Sequence, residues 1–355
     1  MPRYARWAER LAGVERLGRT RTLRTLEPTG PVTGRLDGRD VLVACSNDYL
    51  GLGTLPLAGR SGSGGSRLIS GNHREHGRLE RALASWLERD VLLFPSGWHA
   101  NVAVFSTVCT ADQRVASDAL NHASVIDGLR LSRAQRIVVP HLDPSAVPDS
   151  VDLIALEGLY SMDGDIAPLA SYPRGPWLAV DEAHSIGCLG SGGRGVAASQ
   201  GVSPDILVGT FGKAFGSTGA FVAGPPELIA LLVNTARSFI FTTSAPPGLL
   251  AVLADRLATI AAADDLRDRL AHNAATLRRH LADLGWTVLG DAHILPVLTG
   301  PETMEVADRL LRAGVFAPGI RHPTVPVGLE RVRLTVSAAH TDIHLERIAE
   351  AFGPA

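Results

Sequence analysis

The sequence predicts an α/β protein, with a large unit on a mostly parallel sheet of seven strands followed by a smaller α+β unit. Two observations carry this expectation. Seven short apolar runs fall between residues 91 and 224, and stretches with helical spacing separate several of them. Past about residue 285, apolar runs and a helical pattern return as a shorter series. Near-continuous apolar strands separated by helices mark a parallel sheet buried on both faces.

Each element has its own signal. The opening stretch, MPRYARWAERLAGVERLGRTRTLR, is rich in arginine but has no long apolar run and carries Glu9 and Glu15. It reads as an amphipathic helix, not a secretion signal. EHGRLERALASWLERD sets Leu79, Leu83, Trp86 and Leu87 on one helical face. The seven strand runs are VLLF, RVAS, RIVV, DLIALEG, WLAVDEAH, DILVGTF and GAFVAG, with NHASVIDGLRLS as a helix between the second and third. Helices are expected at about 245–262 and 264–285. The smaller unit then reads WTVLG and ILPVL as strands, MEVADRLLRAG as a helix, RVRLTVSAA as a strand, and a last helix. The expected division is an N-terminal segment 1–45, a large unit 46–265 and a small unit 266–355.

Composition excludes several classes. A formal charge of −2 argues against a nucleic-acid or membrane-surface protein. Cys45, Cys109 and Cys188 have no CxxC or CxH spacing, so neither a disulfide framework nor a zinc site is signalled. No apolar run reaches the roughly 20 residues that span a bilayer, and a cytoplasmic location is expected.

Lys213, in VGTFGKAFGSTGAFVAG, is the one lysine among 34 lysines and arginines. A GC-rich coding bias replaces lysine wherever arginine serves as well. It cannot replace a lysine whose task needs an amine that loses its proton, because guanidinium stays charged at any working pH. Lys213 is therefore a candidate for chemistry.

Ligands of such sheets sit at the carboxyl ends of the strands, and the polar outliers fall there. One apolar run ends in Asp181, with His184 three residues on; another ends in Thr210 and Lys213. Two more end near Ser161 and near His122. LLFPSGWHAN passes through Ser96, Gly97 and Trp98 into a helix whose free amide groups suit a phosphate. Together these parts fit pyridoxal phosphate, which needs a lysine to hold it as a Schiff base, a carboxylate on its pyridine nitrogen and a phosphate cup. Taken singly, Asp181 serves as well as a helix cap, His184 and His122 as structural histidines, and Gly97 as a plain turn. GSGGSRLISG does not match a dinucleotide fingerprint. Lys213 is not a phosphate-loop lysine either, because Leu207 and Ala214 stand where that motif needs glycine and serine or threonine.

SNDYLGL, GSGGSR, EGLYSMDGD, VDEAHSIG, TFGKAFG, FTTSAPP and HPTVPVGLERVRLTVSAAH follow one another from about residue 40 to the C-terminus. They closely resemble the α-oxoamine synthases, fold-type-I pyridoxal-phosphate enzymes that condense an amino acid with an acyl thioester and release carbon dioxide. IRHPTVPVG followed by RVRLT looks most like the biotin-pathway member, which joins L-alanine to a pimeloyl thioester. The resemblance implies that Lys213 holds the cofactor and takes the alanine Cα proton, and that Asp181 pairs with the ring nitrogen. It implies His184 at the phenolic oxygen, His122 stacked on the ring and near the substrate, and Ser161 in contact with the cofactor. Gly97, Trp98 and Thr210 would bind the phosphate. Thr243 resembles a contribution from a partner subunit, which implies a homodimer with shared sites. Thr324 and Arg333 would position the substrate carboxylate, for which a planar arginine fork is suited. Arg21, with Arg19 and Arg24 as rivals, would meet an acyl group carried by coenzyme A or by an acyl carrier protein. No metal is implied. The alternatives are a glycine-using sibling (glycine C-acetyltransferase or 5-aminolevulinate synthase), an aminotransferase, and a binding protein without activity. Three features depart from the family pattern. DYLGLGTLPLAGRSGSGGSR is short, SGNHREH lacks the commoner aromatic residue, and Trp98 stands where phenylalanine is frequent.

Overall fold

The computed structural model describes residues 5–53 and 59–355; five residues of the short link noted above, 54–58, lie outside them. The chain opens with α1 (Ala5–Arg16), an amphipathic helix as predicted, whose Trp7, Leu11 and Val14 stay exposed. Three strands follow, β1 (Leu26–Pro28), β2 (Thr33–Leu36) and β3 (Arg39–Val43). Next comes α2 (Arg74–Leu87), which buries Leu79, Leu83 and Leu87 on the predicted face while Trp86 packs at its edge.

The large unit alternates β4 (Asp90–Phe94), α3 (Gly97–Val108), β5 (Arg114–Asp118), α4 (Ala123–Ser132), β6 (Gln135–Val139), β7 (Leu153–Glu157), β8 (Trp177–Asp181), α5 (Gly195–Ser199), β9 (Ile206–Thr210) and β10 (Ala220–Gly224). All seven apolar runs have become strands of one sheet, in the order β4-β10-β9-β8-β7-β5-β6. Of these, β10 runs antiparallel to both neighbours. Residues 211–219, which join β9 to β10, are too few for a crossover, which takes about a dozen or more, so the chain must return antiparallel. Strands β7, β9 and β10 are buried along their whole length, as helices on both faces require. Helices α3 and α4 cross closely at Gly128, where a Cβ would lie 2.9 Å from Phe105 Cβ and 3.1 Å from the Asn101 carbonyl.

The rest comprises α6 (Pro226–Thr235), α7 (Arg237–Ile240), α8 (Pro247–Ala261), α9 (Asp264–Asp283), β11 (Ile294–Leu298), α10 (Thr303–Arg312), β12 (Val315–Phe316), β13 (Gly319–Ile320), β14 (Arg331–Thr335) and α11 (Asp342–Phe352). WTVLG is not a full strand. It makes a single bridge, Val288 to Val297, because its own last residue, Gly290, turns the backbone to φ 83°. Strands β11, β14 and β13 form an antiparallel sheet. The N-terminal strands do not stand apart from this end of the chain, since β3 pairs with β12 through Leu42–Val315 and Val43–Phe316. Thr335 Oγ1 and Ser337 Oγ then donate to the Ser46 and Asp48 carbonyls at 2.7 and 3.0 Å. That anchoring carries residues 46–49 to the carboxyl edge of the large sheet. No described helix is long and apolar enough to cross a membrane.

Candidate active site

Register in the large sheet gathers the polar strand ends. Glu157 at the end of β7 lies beside Asp181 at the end of β8, and Thr210 closes β9 opposite Ala220. The β4 end is paired with Ala220 as well, which delivers the start of α3 to Thr210; a Cβ on Gly97 would lie 3.9 Å from Thr210 Cβ. Ser96 caps that helix by accepting from His99 N at 3.3 Å. The N–H groups of Gly97 and Trp98, in the first turn, have no partner within the helix. The Thr210 hydroxyl is already engaged in the chain, donating to the Gly219 carbonyl at 2.9 Å and accepting from Gly212 N at 3.1 Å.

Lys213 lies in the β9–β10 turn and is half-buried. Burial pulls its ammonium pKa down to about 8, while the carboxylates of Asp181 and Glu157 work against that fall. The turn is held rigidly. The Arg256 guanidinium donates to the Phe215 and Gly216 carbonyls at 2.8 and 2.7 Å, and a Cβ on Gly216 would collide with the Leu52–Gly53 backbone. The glycine after Lys213 is thus a close-approach residue with φ 56°.

Asp181 is buried, accepting at Oδ2 from Asn101 Nδ2 at 2.6 Å and at Oδ1 from Ala183 N at 2.9 Å. His184 is equally buried, and its Nδ1 lies 2.7 Å from the Tyr49 hydroxyl. Burial, and then the charges of Lys213 and Arg333, hold its pKa well below the usual imidazole range, so its ring is neutral. Arg333 projects from β14 into the same region, with Nε donating to the Ser161 carbonyl at 2.6 Å. Among the described residues no carboxylate pairs with Arg333, whereas Arg331, two residues earlier, is paired with Asp163 at 2.6 Å. His122 caps α4 and leaves its ring exposed beside Trp98, centroids 5.9 Å apart and edge to face.

The structure therefore brings Lys213, Asp181, His184, His122, Ser161, Gly97, Trp98, Thr210 and Arg333 to one edge of the sheet. The remaining three predicted residues, Arg21, Thr243 and Thr324, are exposed, and among the described residues no hydrogen bond joins their side chains to that cluster. Arg321 donates to the Gly18 carbonyl, which ties the approach to Arg21 to the loop bearing Thr324. Of Arg21's rivals, Arg24 is engaged with Asp37 at 2.8 Å.

Sequence reasoning missed Asn101, Tyr49 and Glu157. Each carried a weak signal: an amide in the apolar helix GWHANVAVF, a tyrosine in SNDYLGL, an acid ending the apolar strand LIALE. Burial and the nearby Asp181 push the Glu157 carboxyl up to about 8, against the pull of Lys213. A second charged cluster lies behind the site. His141 Nδ1 is 2.9 Å from Asp118 and its Nε2 is 3.2 Å from Asp165, in the loop that carries Ser161. Although burial works against it, these two carboxylates raise the His141 pKa to about 9.

Comparison with known proteins gives three findings. The family model described as aminotransferase class I and II matches residues 39–352. The chain is 40% identical over 377 residues to an 8-amino-7-oxononanoate synthase of Geotalea daltonii, covering 97% of this chain and 96% of that one. Among solved structures, a serine palmitoyltransferase bound to its pyridoxal phosphate aligns with a TM-score of 0.92 at 27% identity, covering 99% of this chain and 98% of that one. The 8-amino-7-oxononanoate synthase from Francisella tularensis aligns with a TM-score of 0.77 at 26% identity, covering 88% and 96%.

Proposed function

The chain belongs to the class I and II aminotransferase family and to its pyridoxal-phosphate-dependent 8-amino-7-oxononanoate synthases, and from that premise we propose that it condenses L-alanine with a pimeloyl thioester, releasing carbon dioxide and the thiol. When bound, pyridoxal phosphate supplies an aldehyde that a lysine can hold and a cationic ring that takes up the electron pair left at Cα. The donor set fits that group: one amine that sheds its proton near neutral pH, a buried carboxylate, and a helix start with open N–H groups beside a threonine.

In this reading Lys213 holds the cofactor and, once freed, its neutral Nζ takes the proton from the alanine Cα. A pKa of about 8 leaves enough unprotonated amine at working pH for both tasks. Asp181 faces the ring nitrogen, kept in place by Asn101 and Ala183. His184, anchored by Tyr49, holds the phenolic oxygen, Ser161 contacts the cofactor, and His122 covers the ring face and helps hold the substrate. Gly97, Trp98 and Thr210 take the phosphate. Arg333 receives the substrate carboxylate, helped by Thr324, because a buried guanidinium with no acidic partner among the described residues favours an incoming anion. Arg21 meets the acyl donor. Thr243 is exposed in its own chain and would act in the site of a second copy, so the working unit is a homodimer with shared sites.

The observation that carries the reading is the setting of Lys213, a half-buried lone lysine with a lowered pKa beside Asp181. The test is a visible spectrum of the protein with pyridoxal phosphate, with and without L-alanine, beside Lys213→Ala. Thiol and carbon dioxide release from pimeloyl-coenzyme A and a pimeloyl carrier protein would follow. A visible band in the wild type that shifts with alanine, with equal release of thiol and carbon dioxide, is expected. Faster turnover with glycine would move the protein to the glycine-using siblings. Amino-group transfer without thiol release would make it an aminotransferase.

A further inference from the structure

A chain of hydrogen bonds runs beneath the site through residues of β8, α3 and α4. Asp181 Oδ2 accepts from Asn101 Nδ2 at 2.6 Å, and the same nitrogen donates to Ser124 Oγ at 2.9 Å. Ser124 Oγ lies 2.7 Å from His122 Nδ1, and the Ser124 backbone N–H donates to that nitrogen at 3.3 Å. Asn101 and Ser124 are 2% and 0% exposed, so water does not compete for these bonds.

The directions follow from what each group can do. A carboxylate only accepts, so Asn101 must turn its NH2 toward Asp181, and its two hydrogens serve Asp181 and Ser124. A backbone N–H only donates, so His122 presents the Nδ1 lone pair and a neutral ring carries its proton on Nε2. The close crossing at Gly128 is what lets Asn101 on α3 reach Ser124 on α4.

We propose that Asn101 and Ser124 are positioning residues that join Asp181 to His122, so that one buried chain aims the carboxylate and fixes both the tautomer and the orientation of the imidazole. The inference rests on the reading of Asp181 and His122 as cofactor contacts. Without Asn101, Asp181 Oδ2 loses its orienting donor and the carboxylate keeps only the Ala183 N–H. Without the Ser124 hydroxyl, one Asn101 hydrogen loses its acceptor, and the His122 ring is held by a single long bond.

The test compares wild type with Asn101→Ala, Ser124→Ala and Ser124→Thr. Nitrogen NMR of the cofactor-free protein reads the His122 tautomer, titration reads the dissociation constant for pyridoxal phosphate, and thermal unfolding reports folding. In the wild type, Nδ1 should be unprotonated. Ser124→Ala should give mixed tautomers, and Ser124→Thr should restore the wild-type pattern. Asn101→Ala should weaken cofactor binding about tenfold to a hundredfold, the usual cost of a lost bond to a charged acceptor, and lower kcat more than it raises KM. The proposal is overturned if wild-type His122 carries its proton on Nδ1, or if folded Ser124→Ala keeps the wild-type tautomer and cofactor affinity. Should Asn101→Ala fail to fold, Ser124→Ala, which removes a single oxygen, still decides the matter. Should the wild type itself bind no cofactor, the reading of the site fails, and the tautomer alone judges the chain of bonds.

Discussion

On the floor of the site Asp181, His184 and Arg333 are 7%, 7% and 6% exposed, and each is held by a partner from another element. At the rim Arg21, Thr243 and Thr324 are exposed, and among the described residues no hydrogen bond holds their side chains. The floor takes its geometry from the packing of the chain itself. In the proposed reading the rim would take its order from what docks there, acyl donor or second copy. A substitution on the floor should therefore cost catalysis or substrate binding heavily, and one at the rim should alter affinity mildly.

The sharpest test is Lys213→Ala. It should lower turnover by about a thousandfold or more, within the range for loss of a general base and covalent anchor, and borohydride should no longer fix cofactor to the protein. A rim variant as inactive as this one would break the comparison. Asp181→Asn keeps the shape and removes the charge, and should cost about a hundredfold to a thousandfold in kcat, as loss of a preorganised electrostatic partner does. His141 lies behind the floor and tests its stability. Its folded pKa of about 9 exceeds the ordinary 6.5, so the native state binds the proton more tightly. Its contribution, on the order of 3 kcal/mol, is complete below pH 6.5 and lost as pH rises through about 9. Urea unfolding at pH 6 and pH 10 should show that loss, and His141→Gln should flatten it. Arg333→Gln should raise the KM for alanine about tenfold to a hundredfold. Arg21→Ala and Thr243→Ala should be mildest, changing affinity for acyl donor or cofactor about tenfold or less without shifting the unfolding midpoint.

Much of the floor was legible before any coordinates. Apolar runs announced all seven strands, and Asp181, His184, Thr210 and Lys213 stood out because a polar residue closing an apolar strand has few reasons to be there. What could not be read were the partners. Asn101 reaches Asp181 across 80 residues of sequence and Tyr49 reaches His184 across 135. WTVLG misled because apolar content predicts burial, while the turn at Gly290 decided how far the ladder could run. The shortened link was visible in the sequence, but residues 54–58 lie outside the described structure.

By itself the sequence determined the strand order along the chain, the antiparallel return forced by a short β9–β10 loop, and the identity of the amine, acid and imidazoles available for chemistry. Those are local properties of apolar pattern, loop length and side-chain type. Only the tertiary structure decided that the Lys213 amine sheds its proton near pH 8, that His184 is neutral, and that Arg333 faces the site without an acid among the described residues while Arg331 is paired. Desolvation and hydrogen-bond direction depend on atoms brought together from distant stretches of chain, and no local pattern encodes them.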